Sequence, residues 1–237
     1  MKVKPFIVNV FPAVRKKDES MDLLAAMKQR RSARVFLDKP VSRAEVEELL
    51  EYAHLAPSAI NLQPWEFVVT YGEEKERLIR RLLKAHGEQK VSCGPGTANP
   101  LPERYASRSR GASRGLKPRI SELGMEFNSF IEQGSCSFYG APIAIIVIMD
   151  KLFPRLRYLD VGLSVSYLLL SAEAKGLATC PIGLVTAYSD EIADALSIPK
   201  EKEILLAIAL GYADETSPVN LYKTEREPLA EISSWYE

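Results

Sequence analysis
The sequence predicts an α+β protein, and three observations carry that expectation. Two stretches, 142–149 and 203–211, are apolar on both faces and read as central strands. Helical period is clearest at Val46, Leu49, Leu50 and Ala53, spaced i, i+3, i+4 and i+7 behind a capping box of Ser42 and Glu45. Strands and helices alternate only loosely, which suits α+β better than a doubly wound parallel sheet.

The elements follow in order from an N-terminal arm, 1–20, set before a single domain of 21–237. Ser20 can cap a helix starting at Met21, with Leu23, Leu24 and Met27 on one face. That helix ends in Arg30-Arg31-Ser32-Ala33-Arg34, and Pro57 closes the helix behind the capping box. Trp65 to Tyr71, aromatic and β-branched, is expected to be a strand, and Glu73 to Ala85 a charged surface helix. From Gly87 to Pro118 the periodicity vanishes, with eight Gly and Pro breakers from Gly94 on, so a lid, a binding loop or an unstructured insertion is expected. Helix should return around Ile120 to Ile131. Tyr158 to Lys175 is apolar nearly all round, stops at Gly176 and carries Gly162, Ser164, Ser166, Ser171 and Ala172. It should be buried against the sheet on one side and a twin helix on the other. A short strand and a Cys-Pro-Ile-Gly turn fill 177–185, a helix spans Ser189 to Leu196, and the tail from Tyr212 should wrap over something.

Composition excludes whole classes of function. Thirty-one basic and 31 acidic side chains balance to zero, which argues against a dedicated nucleic-acid binder. At 46% hydrophobic residues the 237-residue chain is a globule with a substantial core. Cys93, Cys136 and Cys180 form no CxxC, and His54 and His86 are the only histidines, so neither a disulfide framework nor a metal site is expected. No run is long and apolar enough for a membrane span, and a cytoplasmic location fits the cysteine usage.

Nucleotide and triad motifs are missing. Gly94-Pro95-Gly96 is followed by Asn99 where a dinucleotide fingerprint needs glycine, and neither a P-loop nor a nucleophile elbow is present. Cys180, in an apolar strand end with no cation near it in sequence, reads as an inert buried thiol. What remains is basic. Arg30, Arg31 and Arg34, with Ser32, could chelate a phosphate, or could simply complement a helix C-terminus. Lys223 and Arg226 form a second group far along the chain.

Five segments occur in one order: Arg30 to Arg34, Ala56-Pro57-Ser58-Ala59-Ile60-Asn61-Leu62-Gln63-Pro64-Trp65, Gly176 to Gly183, Leu210-Gly211-Tyr212, and Thr224-Glu225-Arg226-Glu227-Pro228-Leu229. Together they resemble the FMN-dependent nitroreductase family, from about Met21 to the C-terminus apart from the 87–118 insertion. The resemblance implies a three-layer fold with a mixed, mostly antiparallel sheet flanked by helices, in an intertwined homodimer with an extended C-terminal tail. It implies two FMN sites at the dimer interface and NADH or NADPH as reductant. Arg30, Ser32 and Arg226 would hold the phosphate with help from Arg31 and Lys223, and Arg34 would approach the pyrimidine edge. Pro57, Ser58 and Asn61 would come from the other subunit, and Pro181, Ile182 and Gly183 would present backbone near the flavin N5. No side chain need act as general acid or base, since the cofactor carries the redox chemistry. The acceptor would be a small nitroaromatic or quinone-like molecule, reduced by a ping-pong mechanism.

Two departures stand out. Ile182 takes the place of an acidic residue in many relatives and would make the pocket less polar. Arg104, Arg108, Arg110, Arg114, Lys117 and Arg119 of the insertion could favour an anionic substrate or the NADPH phosphate, or could be solvated. Dehalogenation, flavin cleavage and azoline oxidation on the same scaffold remain open, as does flavin binding without turnover. An arginine-rich lid engaging a polyanion fits less well, because Tyr105 is its one aromatic.

Overall fold
A computed structural model of the chain describes residues 21–89, 91 and 100–237. The N-terminal arm, Ser20, Cys93 and the Gly94-Pro95-Gly96 stretch lie outside the described residues. At the first helix, α1 (Leu23–Gln29), the cap is Asp22 and not Ser20. The Asp22 carboxylate accepts from the N–H of Leu24 at 3.2 Å and of Ala25 at 3.4 Å. The expected capping box opens α2 (Arg43–His54): Ser42 accepts from the Glu45 N–H at 3.2 Å while Glu45 accepts from the Ser42 N–H at 2.7 Å. β1 (Trp65–Tyr71) leads into α3 (Gly72–Gln89).

The insertion is where structure and expectation part. Most of 100–118 belongs to a 20-residue helix, α4 (Glu103–Glu122), with Pro118 inside it. Its glycines are not breakers. Gly115 is a notch for Tyr222, whose ring lies 2.5 Å from where a Cβ would stand. The helix expected over 120–131 is in fact two. Gly124, with φ of 72°, ends α4, and Glu126 caps α5 (Phe127–Cys136) by accepting from the Ser129 N–H at 2.8 Å.

β2 (Ile143–Asp150) is followed by α6 (Tyr158–Ala174), β3 (Ala178–Ile182), a 3₁₀ turn at 184–188, α7 (Ser189–Leu196), β4 (Lys202–Gly211) and a short α8 (Pro218–Leu221). The sheet order is β1-β2-β4-β3. All three ladders are antiparallel, and the parallel component is one bridge between Ser32 and Thr179. The two apolar runs therefore sit at the centre, as β2 and β4. Alternate residues of β2 feed opposite faces. Ala144, Ile146 and Ile148 pack with Leu78, Leu82 and Ile192 of α3 and α7, while Ile145, Val147 and Met149 pack with Leu49, Val165 and Leu168 of α2 and α6. These are the three layers of the expected fold.

α6 is buried against the sheet and against α1 and α2, and is open on its outer face. Leu159, Leu163 and Tyr167 are exposed on its outer face, together with Gly162 and Ser166. Beyond Tyr222 the tail is largely exposed, with Trp235 at 82% and Tyr236 at 95%. Among the described residues no helix is long and apolar enough to cross a membrane, and no cluster of His, Cys, Asp or Glu could hold a metal.

Candidate functional site
The arginine loop is fixed from both sides. On one side it is pinned to the sheet edge by the Ser32–Thr179 bridge and by the Ala33 N–H donating to the Thr179 carbonyl at 3.0 Å. On the other it meets the segment after β4, with the Leu37 N–H on the Tyr212 carbonyl at 2.8 Å and the Asp214 N–H on the Val35 carbonyl at 3.0 Å. Asn220, fully buried, ties these strands of chain together. Its Oδ1 accepts from the Arg34 N–H at 2.8 Å, and its Nδ2 donates to the carbonyls of Val35 at 2.7 Å and Asp214 at 2.9 Å.

The result is a cavity of about 730 Å³ between the end of α1, α4, α5 and the 222–226 strap. Six of the twelve sequence-predicted site residues line it: Arg30, Arg31, Ser32, Arg34, Lys223 and Arg226. Long-range folding thus joins two basic groups nearly two hundred residues apart. Lys223 also donates to the Lys28 carbonyl at 3.1 Å in the last turn of α1, where a cation complements the helix dipole. Arg226 folds back on its own strap, its Nη1 donating to Thr224 Oγ1 at 2.6 Å and to the carbonyls of Thr224 and Glu225 at 3.1 Å each.

The charge around this cavity is out of balance. Arg31 pairs with Glu215, yet its Nε is buried without a hydrogen-bond partner, and so is Nη1 of Arg30. Buried donors on charged groups are costly to leave unmade, so the arrangement is complementary to an oxyanion. Glu173 of α6 lies within electrostatic reach of Arg31, Arg30 and Lys223. Burial pushes its pKa up, against the pull of Arg31 and Arg30.

The other six predicted residues lie elsewhere. Pro57, Ser58 and Asn61 belong to an exposed turn after α2, in which Ile60, Asn61 and Gln63 have φ of 44°, 59° and 46°. Within the chain that turn is held by Ser58 Oγ accepting from the Gln63 N–H at 2.9 Å and by Gln63 Nε2 donating to the Asn61 carbonyl at 3.0 Å. Pro181 to Gly183 continue β3 beyond the Ser32–Thr179 bridge. The Ile182 side chain is buried in the core beneath the sheet, so the expected loss of pocket polarity does not arise from it. Over Gly183 a Cβ would meet nothing within 4 Å, which leaves open space at the strand end.

The basic residues of the insertion do not reach the cavity. The face of α4 that lines it is Ser109, Ala112, Ser113 and Leu116, at i, i+3, i+4 and i+7. Arg108 pairs with Glu227 of the tail at 2.6 Å, Arg110 pairs with Glu103, and Arg119 lies 4.9 Å from the centre of the Tyr222 ring. Arg108 and Arg119 thus fasten the helix to the tail, while the Arg110 pair lies within α4.

Three residues at or behind the cavity escaped sequence reasoning. Asn220 is one, and Glu132, among the described residues the acidic side chain lining the cavity, is another. Glu132 sits 3.8 Å from Nε2 of His86, whose Nδ1 lies 2.9 Å from the Tyr188 hydroxyl. The third is Tyr139, behind Arg34. Cys180 is buried as expected, and burial raises its pKa, but the fold does set Arg34 and Arg30 near it, which the sequence had not suggested.

A model of the nitroreductase family matches residues 27–212. A 4-nitrobenzoate reductase from Pseudomonas putida is 32% identical over 209 residues, which cover 87% of this chain and 92% of that protein. An iodotyrosine deiodinase from Thermotoga neapolitana is 26% identical, over 81% of this chain and 88% of its own length. Among solved structures, the FMN-dependent nitroreductase NfnB from Mycobacterium smegmatis in complex with NADPH superposes with a TM-score of 0.81 at 27% identity, over 91% of this chain and all of that one. A matched family model spanning most of the chain, on the fold and basic cavity described above, shows that this protein belongs to the nitroreductase family.

Proposed function
We propose that the protein is an FMN-dependent oxidoreductase that draws hydride from NADH or NADPH and reduces a nitroaromatic or quinone-like acceptor. The observation that carries this is the pair of buried, unpartnered arginine nitrogens on a cavity with Ser32, Lys223 and Arg226 around it. Those donors fit a phosphate monoester. Arg30, Ser32 and Arg226 would hold it, with Arg31 and Lys223 adding charge and Arg34 facing the pyrimidine edge. FMN, when bound, supplies the hydride acceptance and donation. The chain's own part is to bind, orient and exclude water: α4 covers the cavity with a small-residue face, and the open end of β3 at Gly183 leaves room for a flat ring.

The same reading makes the protein a homodimer whose sites take Pro57, Ser58 and Asn61 from a second copy. Three left-handed non-glycine residues in one exposed turn are costly and persist where surroundings fix them. A second subunit would provide such surroundings. Leu159, Leu163 and Tyr167 with Gly162 and Ser166 form an exposed apolar stripe on α6, and Leu229, Ile232, Trp235 and Tyr236 leave the tail unpartnered by its own core. Ser166 already satisfies its hydroxyl on the Gly162 carbonyl at 2.8 Å, so it can be buried against a twin helix. Ser166→Trp should therefore yield monomer without bound flavin by light scattering and absorbance; a flavin-loaded dimer would contradict the seam.

Steady-state kinetics test the reaction. With 4-nitrobenzoate and NADPH as paired substrates, parallel double-reciprocal lines are expected, because one slot serves both in turn. Intersecting lines would contradict the shared slot. Turnover of iodotyrosine with none of 4-nitrobenzoate would replace the nitroreductase reading with a dehalogenase on the same scaffold.

A further inference from the structure
The Tyr139 ring is placed by backbone that bulky L-residues rarely adopt. Phe138, Tyr139 and Gly140 have φ of 52°, 52° and 74°, forming a left-handed turn closed by the Gly140 N–H on the Ser137 carbonyl at 3.1 Å and the Ala141 N–H on the Phe138 carbonyl at 3.0 Å. Such a run survives only where the surroundings over-determine it, and strain of this kind gathers at functional sites. Here the surroundings are specific. The Phe138 side chain is wholly buried in the core. The Tyr139 ring lies on Gly134, where a Cβ would stand 2.4 Å from its Cε1, and packs at 5.7 Å against Phe130. Its hydroxyl reaches Ser135 Oγ at 3.3 Å and the Ile131 carbonyl at 3.4 Å.

What this machinery presents is an aromatic face to Arg34, whose guanidinium carbon lies 5.9 Å from the ring centre, within cation–π reach. The Arg34 side chain also interacts with the Tyr139 hydroxyl, and its Nη1 makes a long contact to the Ser32 carbonyl at 3.4 Å. Arg34 lines the cavity and Tyr139 does not. We propose that Tyr139 is a positioning residue: its ring, set by the left-handed turn at 138–140 and the notch at Gly134, holds the Arg34 guanidinium in the cavity and thereby sets the reduction potential of FMN bound there. This rests on the flavin reading above. A cation held beside the ring favours its anionic reduced form, and a cation free to swing into solvent does so less.

The test compares Tyr139→Phe, Tyr139→Leu and Gly134→Ala, each loaded with FMN, by dye-equilibrated midpoint potential and by FMN affinity. Tyr139→Phe keeps the aromatic face and loses only the hydroxyl contact to Arg34, so its potential should lie above that of Tyr139→Leu and close to that of the unaltered protein. Tyr139→Leu and Gly134→Ala should each weaken the preference for reduced over oxidised FMN about tenfold, a fall of ~30 mV for a two-electron couple. If Tyr139→Leu does not fold, Gly134→Ala decides alone, since it changes no group lining the cavity. Unmoved potentials in loaded variants, or a Tyr139→Phe potential as low as that of Tyr139→Leu, would overturn the role while leaving the flavin reading intact. An unaltered protein that takes up no FMN would overturn both.

Discussion
Arg30→Ala should raise the dissociation constant for FMN by about one to two orders of magnitude, as read by flavin fluorescence. A hydrogen bond to a charged group contributes roughly 1.5–3 kcal/mol, and each 1.4 kcal/mol is about tenfold in affinity. The sign of the effect on the empty protein is the opposite of what removing a large side chain usually gives. Nη1 of Arg30 is buried without a partner, so its loss relieves a desolvated charge. Urea unfolding of the FMN-free variant should therefore show a midpoint no lower than that of the unaltered protein. Wild-type FMN affinity in Arg30→Ala would mean that the phosphate is held elsewhere.

Asn220→Ala should be far more damaging to the fold. It leaves the Arg34 N–H without its partner and takes one of two donors from the carbonyls of Val35 and Asp214, which keep the N–H of Asp214 and of Ser217. One orphaned donor costs about 1–3 kcal/mol and each of the two further hydrogen bonds roughly 0.5–1.5, so a combined loss of ~2–4 kcal/mol is expected once relaxation is allowed for. A lower urea midpoint at constant slope would register it. FMN affinity should fall as well, because the Arg34 N–H loses the side-chain acceptor that fixes it beside the segment after β4. Asn220→Asp is a sharper control: it retains the acceptor for Arg34 and loses both donors. An Asn220→Ala protein as stable as the parent would show that the loop is held by its backbone bonds to Thr179, Tyr212 and Asp214 alone.

How much of this was legible in the sequence depended on how local each signal is. β2 and β4 were readable because a run apolar on both faces has one economical home, the centre of a sheet. α2 was readable because Ser42 and Glu45 cap each other three residues apart. α4 was not, because three of its four cavity-facing residues are Ser or Ala and its glycines look like breakers. Gly115 is there to admit the ring of Tyr222, 107 positions away in sequence, and no local window contains that contact. The basic site divides the same way. Arg30 to Arg34 is a local cluster, and its likeness to a known motif drew Lys223 and Arg226 toward it. Asn220, Glu132 and Tyr139 carry no local signal at all: a lone Asn in a tail, a Glu on a helix, and a Tyr before a glycine acquire meaning only from what the fold sets beside them. The insertion's arginines show the converse, since charge density in sequence suggested a ligand and the structure commits Arg108 and Arg110 to carboxylates and Arg119 to an aromatic ring.

The central claim is that the cavity bounded by Arg30, Arg31, Ser32, Lys223 and Arg226 holds FMN that reduced nicotinamide can reach. The direct measurement is an absorbance spectrum of the purified protein loaded with FMN, titrated anaerobically with NADH and, separately, with NADPH. Oxidised-flavin bands that bleach stoichiometrically with at least one of the two nucleotides, and return on addition of 4-nitrobenzoate, are the predicted result. A protein that stays colourless after incubation with FMN, or a bound flavin that neither nucleotide bleaches, would contradict it.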